Sequence, residues 1–142
     1  VLFFNNFGME GISATSDFAY TFVRDLLGQG VPLHGIGLQC HFNIFTPPPT
    51  ESMRENIQRF GALGLQVQLT ELDVTPDDGA VAQRRIYREM ASVCAAEPAC
   101  TGVTTWGLND KYHWLGMDAL LFGDAYAPKP AYFGMRDGLE GR

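Results

Sequence analysis

Short apolar runs alternate with amphipathic helical segments along this chain, and this order constrains the fold more than any other feature. The strand-like runs and the segments with helical spacing follow one another at residues 2–7, 17–29, 34–42, 50–63, 65–74, 81–96 and 101–108, before a short helix from Ala131. Strands that alternate with helices form a parallel sheet covered by helices. The sequence therefore predicts an α/β fold of four βα units.

The length of the chain allows two architectures of this class. The sequence has 142 residues and no linker, which predicts one domain over residues 1–142. Four βα units make either a small doubly wound sheet or half of a (β/α) TIM barrel, which needs about 250 residues when complete. The motifs at the strand ends favour the half barrel. The chain also begins with a strand already under way, so we expect it to start inside a longer protein.

The composition argues against two classes of partner. The net charge is -6, and the Lys and Arg residues form no cluster of the kind that nucleic-acid binders carry. No apolar run approaches the roughly 20 residues of a membrane-spanning helix. A neutral, hydroxylated substrate suits an acidic cleft better than a polyanion does.

The three cysteines leave one pairing open. Cys94 and Cys100 flank a short segment that contains Pro98, and a disulfide could close this loop. The alternative is that they are two unrelated buried thiols. Cys40 has no evident partner and is expected to be a small core residue.

A pair of carboxylates marks the end of the third predicted strand. Glu71 and Asp73 are two residues apart, so their side chains point to the same side of the strand. Active sites of parallel α/β folds lie at the carboxyl ends of strands, and His41 ends the preceding strand. An imidazole there can donate to the carboxylates and keep a glutamate ionised for attack on an anomeric carbon. The alternative is a solvated carboxylate pair and a satisfied core histidine.

Both tryptophans of the chain fall at or just after the fourth predicted strand. Aromatic faces stack on the C–H faces of sugar rings, so Trp106 and Trp114 are candidates for binding a saccharide. Amide side chains at strand ends that can bind sugar hydroxyls are Asn5, Asn6, Gln39 and Asn109. Alternatively, Trp106 is a core residue and Trp114 packs its own loop. We expect Asp110 and Lys111 to form an ion pair that fixes this loop.

Several motifs, taken in their order, resemble those of a known family. The segments are GIGLQCH at 35–41, QLTELD at 68–73, TGVTTWG at 101–107, DKY at 110–112 with Trp114, and PKPAY at 128–132. They are similar to the family 10 glycoside hydrolases, which are retaining endo-β-1,4-xylanases with a TIM-barrel fold. The matched segments are those of barrel strands five to eight. The resemblance therefore implies the C-terminal half of a barrel that acts on xylan.

The resemblance also implies roles for individual residues. Glu71 would be the catalytic nucleophile at the end of barrel strand seven, supported by His41 and Asp73. The residues expected to bind substrate are Asn5, Gln39, Trp106 as the floor of the glycone subsite and Trp114 as its cap. Cys94 and Cys100 match a disulfide that is common in the family. No metal or redox cofactor is implied, and secretion is implied by the family and the disulfide.

Two departures from the family pattern limit what the chain can do alone. The family usually has Asn-Asp-Tyr-Asn after strand five, whereas residues 5–8 here read NNFG, and Phe7 lacks the tyrosine hydroxyl. The acid-base glutamate of strand four is absent, and nothing places Glu10 opposite Glu71. Retaining hydrolysis needs two carboxyl groups about 5–5.5 Å apart. We expect a complementary half barrel or a second copy as partner, because a half barrel leaves two strand edges and an apolar inner face open.

The sequence leaves other functions open. A half barrel without an acid-base group could be a non-catalytic module that binds β-linked polysaccharide through its tryptophans and amide side chains, or an inactive fragment. A hydrolase with a related barrel could instead act on cellulose or mannan, although the pair of tryptophans argues against this.

Overall fold

A computed structural model of the protein describes residues 1–77 and 79–141. Within these residues the elements follow one another as β1 (Phe3–Asn6), α1 (Ala14–Gly28), β2 (Gly35–Leu38), β3 (His41–Asn43), α2 (Thr50–Ala62), β4 (Gln66–Thr75), α3 (Ala80–Ala96), β5 (Cys100–Thr105) and α4 (Pro130–Leu139). A short 3-10 helix, Asp110–Tyr112, lies in the connection before α4. A turn expected at residues 76–79 includes Asp78, which lies outside the described residues.

The strands form one parallel sheet. β1 pairs with β2, β2 and then β3 pair with successive parts of β4, and β5 also pairs with β4. Because parallel strands share their direction, their carboxyl ends meet at one edge of the sheet. The predicted α/β class is confirmed, and most strands differ from the predicted runs only at their ends.

The core lies between one face of the sheet and the helices. Ile36 and Leu38 of β2 and Val67 and Leu69 of β4 are fully buried. Helical side chains in the same cluster are Val23, Met53, Ile57, Phe60, Ile86 and Met90. Burying an aliphatic or aromatic side chain of this size contributes about 1.5–3 kcal/mol to folding. The helices therefore cover this face of the sheet, and residues outside the helices surround the carboxyl ends of the strands.

Two helices begin at positions that apolar spacing does not reveal. α1 begins before the predicted Asp17, because Ser13 and Ser16 form a capping box. The Ser13 hydroxyl accepts the Ser16 N–H, and the Ser16 hydroxyl accepts the Ser13 N–H. Thr50 is a residue type that favours an N-cap, and the sequence predicts it as the cap of the second helix. This prediction is wrong, since Thr50 is the first residue of α2 and Pro49 occupies the cap position.

The sequence predicts one strand over 34–42, but the structure has two short strands, β2 and β3. The break falls at Cys40, whose φ of 66° lies in the left-handed region and does not continue a strand. The Cys40 N–H donates to Glu10 Oε1 at 3.1 Å instead of to a neighbouring strand. After the break, His41 of β3 lies opposite Asp73 of β4. The buried Glu10 carboxylate, which holds the Cys40 N–H, thus helps to set the position of His41.

The inner face of the half barrel is largely polar, so the expectation of an apolar face is wrong. Gln66, Gln68 and Thr70 alternate with buried residues of β4, and Gln68 Nε2 donates to Thr101 Oγ1 at 3.3 Å. Gly37 leaves room on this face for the Asn5 side chain, whose Oδ1 a Cβ would meet at 2.5 Å. Among the described residues, β1 pairs only with β2 and β5 only with β4, so both sheet edges are open.

The cysteines occupy two kinds of environment. Cys94 near the end of α3 and Cys100 at the start of β5 form a disulfide. Cys40 is a fully buried free thiol, so its predicted core position is confirmed. Burial, followed by the charges of Glu10 and Asp73, raises the pKa of the Cys40 thiol well above its ordinary value. A thiol that stays protonated is a poor nucleophile.

We expect the protein to lose stability as the pH rises above the ordinary thiol value of 9.0. The unfolded chain releases the Cys40 proton there while the folded chain retains it, so the folded state binds more protons and stability falls with rising pH. The loss is about 1.4 kcal/mol per pH unit above that value. Urea unfolding of the parent and of Cys40→Ala between about pH 8 and 10.5 checks this. Equal pH slopes in both proteins would contradict it.

Candidate active site

The carboxyl ends of the strands bring the sequence-predicted site residues together. The residues that meet there are Asn5, Gln39, His41, Glu71, Asp73, Trp106 and Trp114. Five different segments supply them, namely the ends of β1 and β2, the start of β3, the second half of β4, and the connection that follows β5. This is the edge at which parallel α/β proteins build their sites.

Glu71 is held through both of its carboxylate oxygens. Asn5 Nδ2 donates to Oε1 at 2.7 Å, and His41 Nε2 lies 3.1 Å from Oε2. Thr70 Oγ1 donates to Asn5 Oδ1 at 2.8 Å, which orients the amide with its nitrogen towards Glu71. The Glu71 side chain keeps 12% of its surface exposed. The contacts at both oxygens fix the orientation of the carboxylate, a group that can act as a nucleophile.

The His41 imidazole lies between the two carboxylates. Nε2 is 3.1 Å from Glu71 Oε2, and Nδ1 is 3.0 Å from Asp73 Oδ1. The second contact has an ion-pair distance without the angle of a hydrogen bond, so Nδ1 has no hydrogen-bond partner among the described residues. The ring thus turns one nitrogen towards each carboxylate. His41 therefore separates two carboxylates that would otherwise repel each other.

Asp73 is buried and has partners on both oxygens. Its Oδ2 lies 3.1 Å from His113 Nε2 and accepts the Trp114 indole N–H at 2.9 Å, while Oδ1 faces His41. The side chain is 4% exposed, so these partners replace the water that the charge would otherwise need. His113 belongs to the motif that carries Trp114, but its residue type and spacing do not reveal the contact with Asp73.

The two tryptophans flank His41 and remain accessible. The His41 ring lies 6.1 Å from the Trp106 ring and 5.6 Å from the Trp114 ring, measured between centroids. Trp106 is 47% exposed and Trp114 is 58% exposed, so a core position for Trp106 is wrong. Because Asp73 accepts the Trp114 N–H, the ring face is the part of Trp114 that stays open to a ligand. Exposed indole faces of this kind can stack on sugar rings.

A pocket of about 520 Å³ opens beside His41 and Trp114. It is lined by Phe7, Gly8, Glu10, Gln39, His41, Phe42, Thr46 and Trp114. Phe7 is 66% exposed and presents a ring without a hydroxyl. Glu10 borders the pocket, but its Oε1 accepts the backbone N–H groups of Gly8 and Cys40 at 3.2 and 3.1 Å. Glu10 therefore holds the backbone of this region.

Two of the candidate amide side chains, those of Asn6 and Asn109, form hydrogen bonds with nearby backbone groups. Asn109 is buried, donates to the Gly123 carbonyl and accepts the Lys111 N–H. Asn6 Oδ1 accepts the N–H of Phe7. Short amide side chains often bond to nearby backbone in this way. Of the four strand-end amides, Asn5 contacts Glu71 and Gln39 lines the pocket.

The connection from β5 to α4 is fixed by a different ion pair from the expected one. Asp110 pairs with Lys129 at 2.6 Å and accepts the Leu120 N–H at 2.8 Å. The expected pair of Asp110 with Lys111 is wrong, and the Lys111 ammonium lies 5.6 Å from the centre of the Tyr112 ring. Lys129 crosses the connection from its far end, so the pair closes the loop that carries the second tryptophan.

Helix α3 anchors the same connection against the end of β4. Gln83 Nε2 donates to one backbone carbonyl of β4 and to one of the connection, both at 2.7 Å. The Tyr87 hydroxyl donates to the Ala119 carbonyl at 2.7 Å. Burial, followed by the charges of Asp73 and Asp110, raises the pKa of Tyr87 well above its ordinary value. The phenol thus remains a hydrogen-bond donor.

The arrangement suits attack by a carboxylate on a sugar. An oriented glutamate beside exposed indole faces can act as a nucleophile towards an acetal carbon.

Two other features are absent from the described residues. No group of three His, Cys, Asp or Glu side chains there could hold a metal ion. Over the same part of the chain, no helix is long and apolar enough to cross a membrane.

Comparisons of sequence and fold identify known proteins that are similar to this chain. The sequence model of glycosyl hydrolase family 10 matches residues 1–138. Endo-1,4-beta-xylanase B of Thermotoga neapolitana is 37% identical over 152 residues, which cover 99% of this chain and 44% of that protein. The structure of native xylanase 10B from Thermotoga maritima has a TM-score of 0.93 at 33% identity and covers 99% of this chain and 47% of its own. Xylanase 10B from Thermotoga petrophila RKU-1 in complex with xylobiose has a TM-score of 0.93 at 35% identity, with 99% and 46% covered.

The chain spans less than half the length of these relatives. Its four parallel βα units match about half of each solved xylanase chain, and the half-barrel prediction is thereby confirmed. A doubly wound sheet, the other architecture that the length allows, is excluded by the same match.

Proposed function

Because the chain belongs to glycosyl hydrolase family 10, we propose that residues 1–142 are the C-terminal half of a retaining endo-1,4-β-xylanase domain and carry its nucleophile. The share of the relatives that the chain covers supports a half domain. The xylanase names of these relatives, and the xylobiose bound by one of them, support xylan as the substrate. The proposed reaction needs no metal or redox cofactor.

The observation that carries this proposal is the setting of Glu71. Asn5 and His41 hold its two oxygens, and part of the side chain stays open to the cleft. In the proposed mechanism, Glu71 attacks C1 of a β-1,4-linked xylosyl unit, the bond to the leaving sugar breaks, and a covalent glycosyl-enzyme forms. Asp73 supports the position of His41 through the contact at Nδ1. Water then displaces Glu71, so that two inversions retain the configuration.

A second carboxyl group must protonate the leaving sugar and later activate water. The sequence carries no counterpart of the family's acid-base motif, and Glu10 is occupied by backbone N–H groups. We therefore assign the acid-base role to a segment that is not part of residues 1–142. In the complete site this group would lie about 5–5.5 Å from Glu71.

The substrate-binding roles follow from exposure. Trp106 forms the floor of the glycone subsite and Trp114 caps it, with their faces against the C–H faces of xylose rings. Gln39 offers an amide at the same pocket. Asn5 acts mainly on Glu71, because its Nδ2 and Oδ1 are used by Glu71 and Thr70.

A complementary half barrel is the partner that the open surfaces suit best, and a second copy of the chain is the alternative. Both sheet edges offer unpaired backbone groups among the described residues. Next to the β1 edge, Phe18 is 73% exposed and Phe22 is 39% exposed, and Phe22 packs on Phe4. Exposed aromatic groups beside an open strand edge are typical of an interface.

The disulfide and the family support an extracellular location, since disulfides persist in oxidising compartments. This proposal concerns the whole protein of which the chain would form a part.

A second candidate function is a non-catalytic module that binds β-linked polysaccharide. The observation in its favour is that the tryptophans are exposed while the acid-base motif is missing. It predicts binding of xylan without turnover, even in the presence of a complementary half barrel.

Xylan hydrolysis by the chain alone, and after mixing with barrel strands one to four of a family member, tests the proposed function. We expect no hydrolysis by the chain alone and measurable release of reducing sugar by the mixture. Binding without turnover in both samples would favour the second candidate. Activity of the chain alone that depends on Glu71 would mean that a second copy completes the site. Comparing xylo- with cello-oligosaccharides decides the substrate class.

A further inference from the structure

We propose that His113 is a positioning residue of the nucleophile, acting through Asp73 and His41. This inference rests on the proposed function for its meaning, but it concerns contacts that can be measured separately. His113 has a side chain with 0% exposure and lies 3.1 Å from Asp73 Oδ2. Nothing in the proposed reaction requires a histidine at this place.

The hydrogen bonds of His113 fix which nitrogen carries the proton. The Met117 N–H donates to Nδ1 at 3.3 Å, so Nδ1 is an acceptor. The proton of the neutral ring therefore sits on Nε2 and is donated to Asp73 Oδ2. Because a proton on Nδ1 would face the Met117 N–H, His113 acts as a donor of fixed direction towards Asp73.

This donor decides how Asp73 meets His41. Oδ2 is occupied by His113 and by the Trp114 indole N–H, which leaves Oδ1 for His41 Nδ1 at 3.0 Å. With Asp73 fixed, the imidazole keeps Nε2 against Glu71 at 3.1 Å. A series of contacts thus runs from Met117 through His113, Asp73 and His41 to the nucleophile.

The two donors to Oδ2 differ in their surroundings. Trp114 is 58% exposed, so surrounding side chains enclose its ring less than they enclose that of His113. The His113 ring is enclosed and held at both nitrogens. The enclosed donor is the one that can hold Asp73 in a single orientation.

Other titratable groups also surround Asp73. They are His41 in β3, Glu71 in the same strand, Cys40 before β3 and Tyr87 in α3. Burial and nearby negative charges, including that of Asp73, raise the pKa of both Cys40 and Tyr87, which therefore stay neutral below about pH 9. His41 and His113 are the groups that face Asp73 with a nitrogen.

The test compares His113→Leu, which removes the donor, with His113→Gln, which keeps an amide N–H near the position of Nε2. The first measurement uses the full chain assembled with a complementary half barrel and a 2-fluoro-xylobioside with a dinitrophenolate leaving group, which needs no proton to depart. Covalent labelling of Glu71 is followed by intact mass. We expect labelling about tenfold slower in the Leu variant and recovery in the Gln variant.

The second measurement does not depend on the reaction. Nitrogen-15 spectra should show the same His41 nitrogen signals in the parent and in His113→Gln, and an altered Nδ1 signal in His113→Leu, where Asp73 has lost the donor that fixes its orientation. Unchanged His41 signals in the Leu variant would overturn the proposal. Failure of the parent to be labelled would count against the proposed function, while these spectra would still decide the role of His113.

Trp114→Phe provides a further control because it removes the other donor to Oδ2 from an exposed position. We expect the His41 Nδ1 signal to move only by the small amount that replacing the neighbouring ring causes, since His113 still holds Asp73. A large change of this signal would transfer the role to Trp114 and overturn the proposal. This comparison remains decisive even if His113→Leu fails to fold.

Discussion

Glu71→Gln will lower xylan hydrolysis by the chain assembled with a complementary half barrel by at least about a thousandfold. The amide has the shape of the carboxylate and keeps an oxygen for Asn5 Nδ2, but it has no charge with which to attack C1. Initial rates of reducing-sugar release from xylan measure the effect. Glu51→Gln is the matched control, because Glu51 is exposed in α2 and its change should leave the rate unaltered.

Chemical rescue separates loss of the nucleophile from loss of the fold. In Glu71→Ala, azide can occupy the space of the missing carboxylate and attack C1 of an activated xyloside from the same side. We expect an α-xylosyl azide, the product of a single inversion. A product of β configuration, or a Glu71→Gln variant with parental activity, would show that another group is the nucleophile.

Gly134→Ala will destabilise the protein by about 2 kcal/mol because it overpacks the contact between α3 and α4. A Cβ at this buried position would run into the backbone carbonyl of Arg84, which cannot move as a side-chain end can. Gly138, one turn further along α4, lies in the same way against the Arg88 carbonyl. Urea unfolding measures the change in free energy.

Gly28→Ala is the matched control for this prediction. Gly28 also lies in a helix, and a Cβ there would have no heavy atom within 4 Å. We expect its free energy of unfolding to stay within about 1 kcal/mol of the parent, in the stabilising direction. Equal effects of the two substitutions would contradict the close packing of α3 on α4.

Much of the fold could be predicted from the sequence, since apolar periodicity reports which side chains are buried. The alternation of Gln66, Gln68 and Thr70 with apolar residues gave β4 its bounds to within one position. The same alternation places the polar side chains of β4 on the inner face of the half barrel. The expectation of an apolar inner face overlooked this. The break at Cys40 was not predictable, because it depends on a hydrogen bond to Glu10 on a distant segment.

The candidate site could be predicted where the residue types themselves indicate a chemical role. Carboxylates, a histidine and tryptophans at strand ends indicated the cleft, and the structure brings all of them together. Contacts that depend on how the long connection folds were missed. Lys129 rather than Lys111 pairs with Asp110, and His113 donates to Asp73. Spacing along the chain cannot reveal such partners, because a loop has no regular period.

Peptide mapping of the covalent adduct formed with the activated 2-fluoro-xylobioside tests most directly whether Glu71 is the nucleophile. We expect one added glycosyl group per chain, carried by the peptide that contains Glu71 and located on that residue by fragmentation. An adduct on another carboxylate, or a folded and assembled protein that forms none, would contradict it.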